Sequence, residues 1–421
     1  MNMKDLLLEA NRCLKCKNAR CQKNCPINTP IPEVITLFQE GKLHEAGEML
    51  FNNNPLTAIC AIVCPHETQC KGNCIKGLKG EPVRFCDIER YISEQYLESL
   101  SVEKALDNGK RIAVVGSGPA GITAAMTLAQ KGYKVTIFEM RERIGGVLTY
   151  GIPEFRLPRS IVNNLESNLI QLGVKIKPNT LVGPIITLDK LFLDGYDAIF
   201  IGTGVWNPKT LNIKGETLGH SLYAIDYLKN PSIYRLGEKV CVIGAGNVAM
   251  DAARSAKHYG SSEVHICYRR GEEDMTATRA EIQEAKEEGV IFTLYKSPVE
   301  ITDDGVIFAT TKKVLNEDGT TTLVTVPNSE ELFPCDSVVI AISQVPKNNI
   351  VNNTTGLETK YGLLLNDDKG HTTKDGVFAC GDVVSGAKTV IDAVVAAQIV
   401  AHSMDTYCNS LAQSSRLSLI S

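Results

Sequence analysis

Nine of the chain's fourteen cysteines fall within its first 86 residues, eight of them in two runs. The first is Cys13-x2-Cys16-x4-Cys21-x3-Cys25-Pro26, and the second is Cys60-x3-Cys64-Pro65-x4-Cys70-x3-Cys74. Iron–sulfur clusters need several thiolates converging on a compact inorganic core, and closely spaced cysteines with a Cys-Pro end are the ferredoxin way of supplying them. Structural zinc also takes Cys-x2-Cys pairs, but it favours two pairs of short spacing, and longer gaps dominate here. The spacing therefore points to iron–sulfur chemistry. Two runs of four thiols supply the eight ligands that two [4Fe-4S] clusters require, and ferredoxin precedent lets a cysteine of one run serve the other cluster. Cys60 and Cys86, taken singly, are equally well read as buried thiols that bind nothing.

Two glycine-rich loops follow. Gly116-Ser117-Gly118-Pro119-Ala120-Gly121 lies between an apolar run, Arg111–Val115, and a helical pattern, Ile122–Lys131. Its first glycine can make the tight turn, its second lets backbone approach a pyrophosphate, and its third allows close helix–strand packing. The next strand pattern, Lys134–Phe138, ends at Glu139, where a carboxylate can bind a ribose hydroxyl. Gly244-Ala245-Gly246-Asn247-Val248-Ala249 repeats the arrangement between Val240–Ile243 and Asn247–Tyr259, but the strand after it ends in Tyr268-Arg269-Arg270. Guanidinium groups at that place suit the 2′-phosphate of NADP. A hydrogen bond to a charged group contributes roughly 1.5–3 kcal/mol, so one or two would favour NADP over NAD by about ten- to a hundredfold or more.

Nicotinamide yields its electrons as a hydride, whereas an iron–sulfur cluster accepts one at a time, so a flavin is needed between them. The Glu139 loop is accordingly the expected FAD site and the Arg269 loop the NADPH site. Ala379-Cys380-Gly381-Asp382 fits a second FAD contact, with Asp382 on the ribityl chain and the following helix N-terminus toward the ring. Disulfide reductases share the two-nucleotide layout but need a redox-active dithiol. No Cys-x-x-Cys occurs after Cys16, and Cys241, Cys267, Cys335, Cys380 and Cys408 read as scattered core or surface thiols.

These residues need elements to hold them. At 421 residues the chain is long enough for about three domains. Residues 1–106 carry the cysteines and short helical patterns such as Pro32–Leu50 and Asp87–Leu100, without β-alternation. Strand, glycine turn, helix and strand then alternate twice, which is the βαβ signature of α/β domains. The expected architecture is a helical iron–sulfur domain followed by two Rossmann-like domains, the NAD(P) domain inserted into the FAD domain. The expected bounds are 107–234 and 337–408 for FAD and 235–336 for NADPH, with a helix from Lys388 to about Tyr407 and a loose tail over 409–421.

Composition limits the partners. Charged residues make up 22% and the formal net charge is −4, which argues against nucleic acid or an acidic membrane surface as a general partner. The start, MNMKDLLLEANRC, is too short in apolar residues for a signal peptide, and no 18-residue apolar run occurs. A soluble cytoplasmic protein is expected, and its cysteines are better read as metal ligands than as disulfides.

Over nearly its whole length the chain resembles the small subunit of NADPH-dependent glutamate synthase and its relatives, among them the amino-terminal half of dihydropyrimidine dehydrogenase and the flavoprotein subunit of ferredoxin–NADP oxidoreductases. The resemblance rests on Cys13-Leu14-Lys15-Cys16, on the stretch from Gly145-Gly146-Val147-Leu148 to Phe155-Arg156-Leu157-Pro158, on Gly246-Asn247-Val248-Ala249-Met250-Asp251, and on Tyr268-Arg269-Arg270. It implies that Cys13, Cys16, Cys21 and Cys74 bind one [4Fe-4S] cluster. It implies that Cys25, Cys64, Cys70 and a carboxylate or amide side chain bind the other, that last position falling on Glu89 by its spacing from Pro82. Without the resemblance Glu89 reads as a surface helix residue and Cys60 as the eighth ligand. The FAD contacts expected are Gly116, Gly118, Pro119, Ala120, Gly121, Glu139, Met140, Gly146, Val147, Arg156, Gly204, Gly381, Asp382 and Thr389. Those for NADPH are Gly244, Gly246, Asn247, Val248, Arg269 and Arg270.

One departure stands out. Relatives often carry Met-Pro-Ala-Arg after the arginine pair, and Met275-Thr276-Ala277-Thr278-Arg279 lacks the proline and moves the arginine by one, which weakens the expected NADP preference. The expected activity is electron input: hydride from NADPH to flavin N5 with no side-chain acid or base required, then single electrons through the clusters to a larger FMN-containing or ferredoxin-type partner in a hetero-oligomer. The alternatives are the NAD(P)H-oxidising subunit of a pyrimidine reductase, a ferredoxin-linked or bifurcating oxidoreductase, and, from another class, a zinc-bound interaction scaffold.

Overall fold

A computed structural model describes residues 2–100, 105–316 and 318–417. The chain forms two compact units. One holds the described residues up to Thr149, Glu154–Val205 and those from Val345 on, and the other holds Tyr150–Pro153 and Trp206–Gln344.

The first unit opens with the helices Met3–Asn11, Arg20–Lys23, Ile31–Gln39, Leu43–Asn53, Thr57–Val63 and Phe85–Ser99. Apolar residues at helical spacing, Leu6 and Ala10, Val34, Ile35 and Phe38, and Ile88 and Ile92, close on one core. The helical pattern over Pro32–Leu50 is two helices rather than one. The break is at Gly41, whose φ of +73° no helical residue shares.

After the helices comes a five-stranded parallel sheet in the order Val377–Ala379, Ala198–Ile201, Arg111–Val115, Lys134–Phe138, Lys175–Lys177. Ile112–Val115 and Ala198–Ile201 are buried along their whole length, as expected of strands covered on both faces. Pro119–Ala129 and Val390–Leu417 are the principal helices of this layer and pack on each other. The second continues past Cys408, which corrects the loose tail expected from Asn409. No glycine or proline occurs between Asn409 and Leu417 to end it, and residues 418–421 lie outside the described ones.

The second unit has its own five-stranded parallel sheet, ordered Ser221–Tyr223, Ser337–Ile340, Lys239–Ile243, Glu263–Tyr268, Ile291–Leu294. Antiparallel strands Lys296–Thr302, Gly305–Leu315, Thr321–Thr325 and Glu331–Pro334 form a separate sheet. Two expected boundaries move. Ser337–Ile340 pairs with Lys239–Ile243 in the register Val338↔Cys241, so it belongs to this unit and not to the FAD segment expected from 337. On the entry side the unit starts at Trp206 rather than 235. A four-residue apolar strand fits either parallel sheet equally well, and only its hydrogen-bonding neighbours decide which one takes it.

Candidate functional site

Helix ends and turns in the first unit bring Cys13, Cys16, Cys21 and Cys74 around one cavity of about 90 Å³, walled also by Ile31, Ile35, Val83 and Phe85. Burial pushes the Cys21 thiol up to about 11, and Cys74, Cys13 and Cys16 add to the shift by their proximity. Burial raises Cys13 as well, with Cys16 and Cys74 contributing. The sulfurs stand around a space instead of closing on a point: among the described residues no three His, Cys, Asp or Glu side chains converge to hold a single ion. Four soft donors around an apolar, water-poor cavity fit an iron–sulfur cluster. Two of them accept backbone hydrogen bonds, Cys13 from Lys15 N–H at 3.4 Å and Cys74 from Val83 N–H at 3.5 Å, contacts of the kind that tune cluster potentials.

A second group forms around Glu89. The adjoining Cys60 thiol and burial raise Cys64, with Glu89 and Cys70 contributing. Burial raises Cys70, with Glu89, Cys86 and Cys25 contributing in that order. Cys70 also lines the first cavity, and Cys25 Sγ lies 3.2 Å from Thr29 Oγ1. Glu89 is only 7% exposed, and burial pushes its carboxyl up to about 7. It is therefore not the surface residue that its sequence context alone implies. Cys64, Cys70 and Cys86 thus lie near Glu89, with Cys60 beside Cys64 and Cys25 near Cys70. Cys86, which its sequence context reads equally well as a thiol that binds nothing, stands three residues before Glu89 on the same helix face.

In the same unit, segments distant in sequence meet beyond the carboxyl ends of the parallel strands, the usual ligand face of an open α/β sheet. Gly116 has φ +96°, and a Cβ on Gly121 would come within 1.9 Å of the Gly116 carbonyl oxygen. Gly118 caps the helix that Pro119 and Ala120 begin. A Cβ on Gly146 would lie 2.8 Å from Gly118 Cα, and one on Gly381 3.2 Å from Ala120 Cβ. Val147 starts a short helix directly after Gly146, Gly204 follows the strand Ala198–Ile201, and Arg156 is half-buried in the turn before Pro158. This backbone cradle, in which side chains would occupy the space, fits a dinucleotide pyrophosphate.

Glu139, 5% exposed, braces the loop: Oε2 accepts from Ser117 N–H at 3.0 Å and from the Ser117 hydroxyl, while Oε1 accepts from Arg141 N–H at 2.8 Å. Met140, next to it, is 39% exposed. Thr389 makes a reciprocal cap at the start of the long helix, its hydroxyl donating to Asp392 Oδ2 and accepting from Asp392 N–H at 3.3 Å.

Asp382 accepts from Lys388 N–H at 3.2 Å, and burial pushes its carboxyl up to about 6. The folded chain thus keeps this proton to higher pH than the unfolded chain, whose aspartate releases it near its ordinary value. Stability of the flavin-free protein falls as pH rises through that interval and stays lower above it. Asp382→Asn is expected to remove about 1–2 kcal/mol of that loss, read as a smaller difference between thermal midpoints at pH 5 and pH 8, and to weaken flavin retention.

In the second unit Gly244 has φ +137°, and a Cβ there would lie 2.3 Å from the Ala341 carbonyl oxygen. Gly246 caps the helix Asn247–His258, and Val248 packs against the core from the first turn. Thr276 and Ala277 N–H both donate to Ala245 O at 3.1 Å, and Asn247 Oδ1 accepts from Thr278 N–H at 3.0 Å. The segment that departs from its relatives therefore lies along the glycine loop, which sequence reasoning missed. Its signal was present: Thr278-Arg279-Ala280-Glu281 is a capping-box pattern, and Thr278 Oγ1 accepts from Glu281 N–H at 3.3 Å.

Arg269 and Arg270 follow Glu263–Tyr268, exposed, and neither has an ion-pair partner among the described residues. The acidic neighbours are taken, Glu272 by Lys286 at 2.7 Å and Glu273 by Lys313 at 2.5 Å. The arginine backbone is held by Thr311 Oγ1–H donating to Arg269 O at 2.6 Å and Tyr295 N–H donating to Arg270 O at 3.3 Å. Two exposed, unpaired guanidinium groups carried on a held backbone fit a phosphate dianion.

The thiols that read as scattered singles are not all separate. Cys241 Sγ lies 3.4 Å from Cys267 Sγ, and Cys335 also adjoins Cys241, all three inside the core of the second unit. Parallel register brings Ile243 opposite Cys267, so Cys241 is diagonal to Cys267 on one sheet face, a proximity that residue numbers conceal.

A family described as Pyridine nucleotide-disulphide oxidoreductase matches residues 110–400, and one described as Dihydropyrimidine dehydrogenase domain II, 4Fe-4S cluster, matches residues 1–100. The chain is 31% identical to the glutamate synthase [NADPH] small chain of Escherichia coli, over 92% of this chain and 88% of that one. It is 34% identical to the NADP(+)-dependent formate dehydrogenase subunit beta of Moorella thermoacetica, over 92% of this chain, and spans only 60% of that longer protein. In fold it is similar to Mycobacterium tuberculosis FprA in complex with NADPH, with a TM-score of 0.63 at 20% identity over 73% of this chain and 86% of that one. The chain belongs to the pyridine nucleotide–disulphide oxidoreductase family, as a homologue of the glutamate synthase small chains that joins a 4Fe-4S domain to the nucleotide-binding ones.

Proposed function

We propose that the chain is the electron-input subunit of a larger enzyme, oxidising NADPH and delivering electrons one at a time to a partner. The observation that carries the reading is the cavity walled by Cys13, Cys16, Cys21 and Cys74 in the same compact unit as the glycine cradle at Gly116–Gly121. FAD, when bound, accepts a hydride from reduced nicotinamide and gives its electrons up singly to iron–sulfur clusters.

The chain's own residues hold and orient the groups. Backbone N–H groups of the Gly116–Gly121 loop and its helix bind the FAD pyrophosphate, and Gly146, Val147, Arg156, Gly204, Gly381, Asp382 and Thr389 surround the rest. Glu139 reaches the ribose by exchanging its bond to the Ser117 hydroxyl. Gly244, Gly246, Asn247 and Val248 receive the NADPH pyrophosphate, and Arg269 and Arg270 its 2′-phosphate. Cys13, Cys16, Cys21 and Cys74 hold one [4Fe-4S] cluster, and Cys25, Cys64, Cys70 and Glu89 the second, with apolar Ile31, Ile35 and Val83 excluding water from the first.

The relatives' names, small chain and subunit beta, describe parts of assemblies. They support a hetero-oligomer with a larger FMN-containing or ferredoxin-type acceptor. Among the described residues no helix is long and apolar enough to cross a membrane, and the reading places the reaction in the cytoplasm.

Oxygen-free purification of the full chain is the test. Flavin, iron and acid-labile sulfide are expected together, with the flavin absorbance bleached by NADPH. Cys74→Ser is expected to keep flavin while losing about half the iron and sulfide, one cluster of the two. A wild-type preparation with neither sulfide nor flavin overturns the reading.

A further inference from the structure

Glu89 does not stand alone in its buried pocket. Its Oε1 accepts a hydrogen bond from Thr57 Oγ1 at 3.0 Å, and Thr57 Oγ1 lies 3.2 Å from Ser93 Oγ. Thr57 is 1% exposed and Ser93 0%, so water does not compete for either hydroxyl. A threonine has one O–H proton, and Thr57 spends it on the carboxylate. The Ser93 hydroxyl must therefore be the donor in the Thr57–Ser93 contact, and the three residues form a one-way chain, Ser93 O–H to Thr57 O–H to Glu89 Oε1.

The elements make this chain rigid. Thr57 is the first residue of the helix Thr57–Val63, while Glu89 and Ser93 lie one turn apart on one face of Phe85–Ser99, and the two helices pack against each other. One lone pair of Oε1 is thereby engaged, while Oε2 accepts no hydrogen bond among the described residues and is the freer oxygen for another partner. That carboxylate sits close enough to Cys64, Cys70 and Cys86 to act on each of their thiols.

We propose that Thr57, backed by Ser93, is a positioning residue that fixes Glu89 as a one-oxygen ligand of the second cluster and draws negative charge from it, so setting that cluster's potential. The inference rests on the proposed role of Glu89 as ligand. A carboxylate that donates part of its charge to a hydroxyl is a weaker electron donor to iron, and hydrogen bonding beyond the first ligands is one of the levers that tune metal centres. Removing the hydroxyl concentrates charge on Glu89, stabilises the oxidised cluster and moves its midpoint negative.

The test uses the full chain purified without oxygen, with cluster potentials read by electron paramagnetic resonance during redox titration, alongside iron and sulfide content. Thr57→Val keeps the shape and removes the hydroxyl. It is expected to retain iron, shift the midpoint of one cluster negative with an altered signal shape, and leave the other cluster unchanged. Ser93→Ala is expected to give a smaller shift of the same sign, and Thr57→Ser to restore the wild-type value. Glu89→Ala separates the two layers of the argument. If it leaves both clusters and their signals unchanged, Glu89 is not a ligand and the proposal falls with it. If Glu89→Ala alters one cluster while Thr57→Val alters none, Glu89 remains a ligand and the positioning role is overturned. Equal shifts of both clusters in Thr57→Val, or failure of Thr57→Ser to restore the potential, assign Thr57 to general packing and overturn the proposal as well.

Discussion

Gly121→Val is expected to produce a chain that carries no flavin after purification, with the absorbance near 450 nm lost, and a fold destabilised by about 3 kcal/mol or more. A Cβ at this position would stand 1.9 Å from the Gly116 carbonyl oxygen and 3.4 Å from Val114 Cγ1. The obstacle is backbone in a parallel strand's exit turn, which cannot rotate aside as a flexible side chain does. Helix Pro119–Ala129 would have to lift off the sheet, and its N-terminus would leave the place where it meets a pyrophosphate. Gly118→Ala is the control that separates the two effects. The nearest atom to its Cβ is Gly202 O at 4.0 Å, so the protein has room for a methyl group there, and the added carbon enters only the space offered to ligand. That variant is expected to melt within about 0.5 kcal/mol of wild type while binding FAD more weakly, measured by urea unfolding and by flavin release. Retention of full flavin by Gly121→Val would remove the cradle from the FAD site.

Replacing Arg269 and Arg270 together by alanine is expected to lower kcat/KM for NADPH by about a hundredfold or more and to leave that for NADH nearly unchanged, since each charged hydrogen bond contributes roughly 1.5–3 kcal/mol. The two guanidinium groups have no internal ion-pair partners among the described residues, so removing them breaks no salt bridge, and the melting temperature should hold. Their exposure makes the interaction sensitive to ionic strength: raising salt from 0.05 to 0.5 M should raise the wild-type KM for NADPH and flatten in the double variant. Steady-state reduction of an artificial acceptor with each nucleotide measures both. Equal losses with NADPH and NADH would mean that the pair orients the whole nucleotide instead of reading its phosphate.

The two glycine loops and their flanking strands were legible because the signal is local. A turn with positive φ, a helix start and a continuous apolar strand occupy adjacent residues, so Arg111–Val115 with Gly116–Gly121 and Lys239–Ile243 with Gly244–Gly246 could be read directly. The helix-face positions Glu89 and Cys86 were half legible, since spacing puts them on one side of Phe85–Ser99 but says nothing of what that side faces. Membership of Ser337–Ile340 in one sheet or the other was not legible at all, and neither was the meeting of Cys241, Cys267 and Cys335, because both depend on which strands become neighbours.

By itself, then, the amino-acid sequence determined the chemistry on offer: eight or more thiols in ferredoxin-like runs, two loops shaped for pyrophosphate, an acid after one and two arginines after the other. Tertiary structure alone decided that Glu89 is buried beside Cys64 and Cys70 under a hydroxyl chain from Thr57 and Ser93, that Glu139 is engaged by Ser117, and that Thr276 and Thr278 lie along the second loop. The physical reason is range. Backbone turn preferences and residue chemistry act within a few positions of the chain, whereas desolvation, hydrogen-bond partnership and the company a thiol keeps are set by segments that folding brings together from tens or hundreds of residues away.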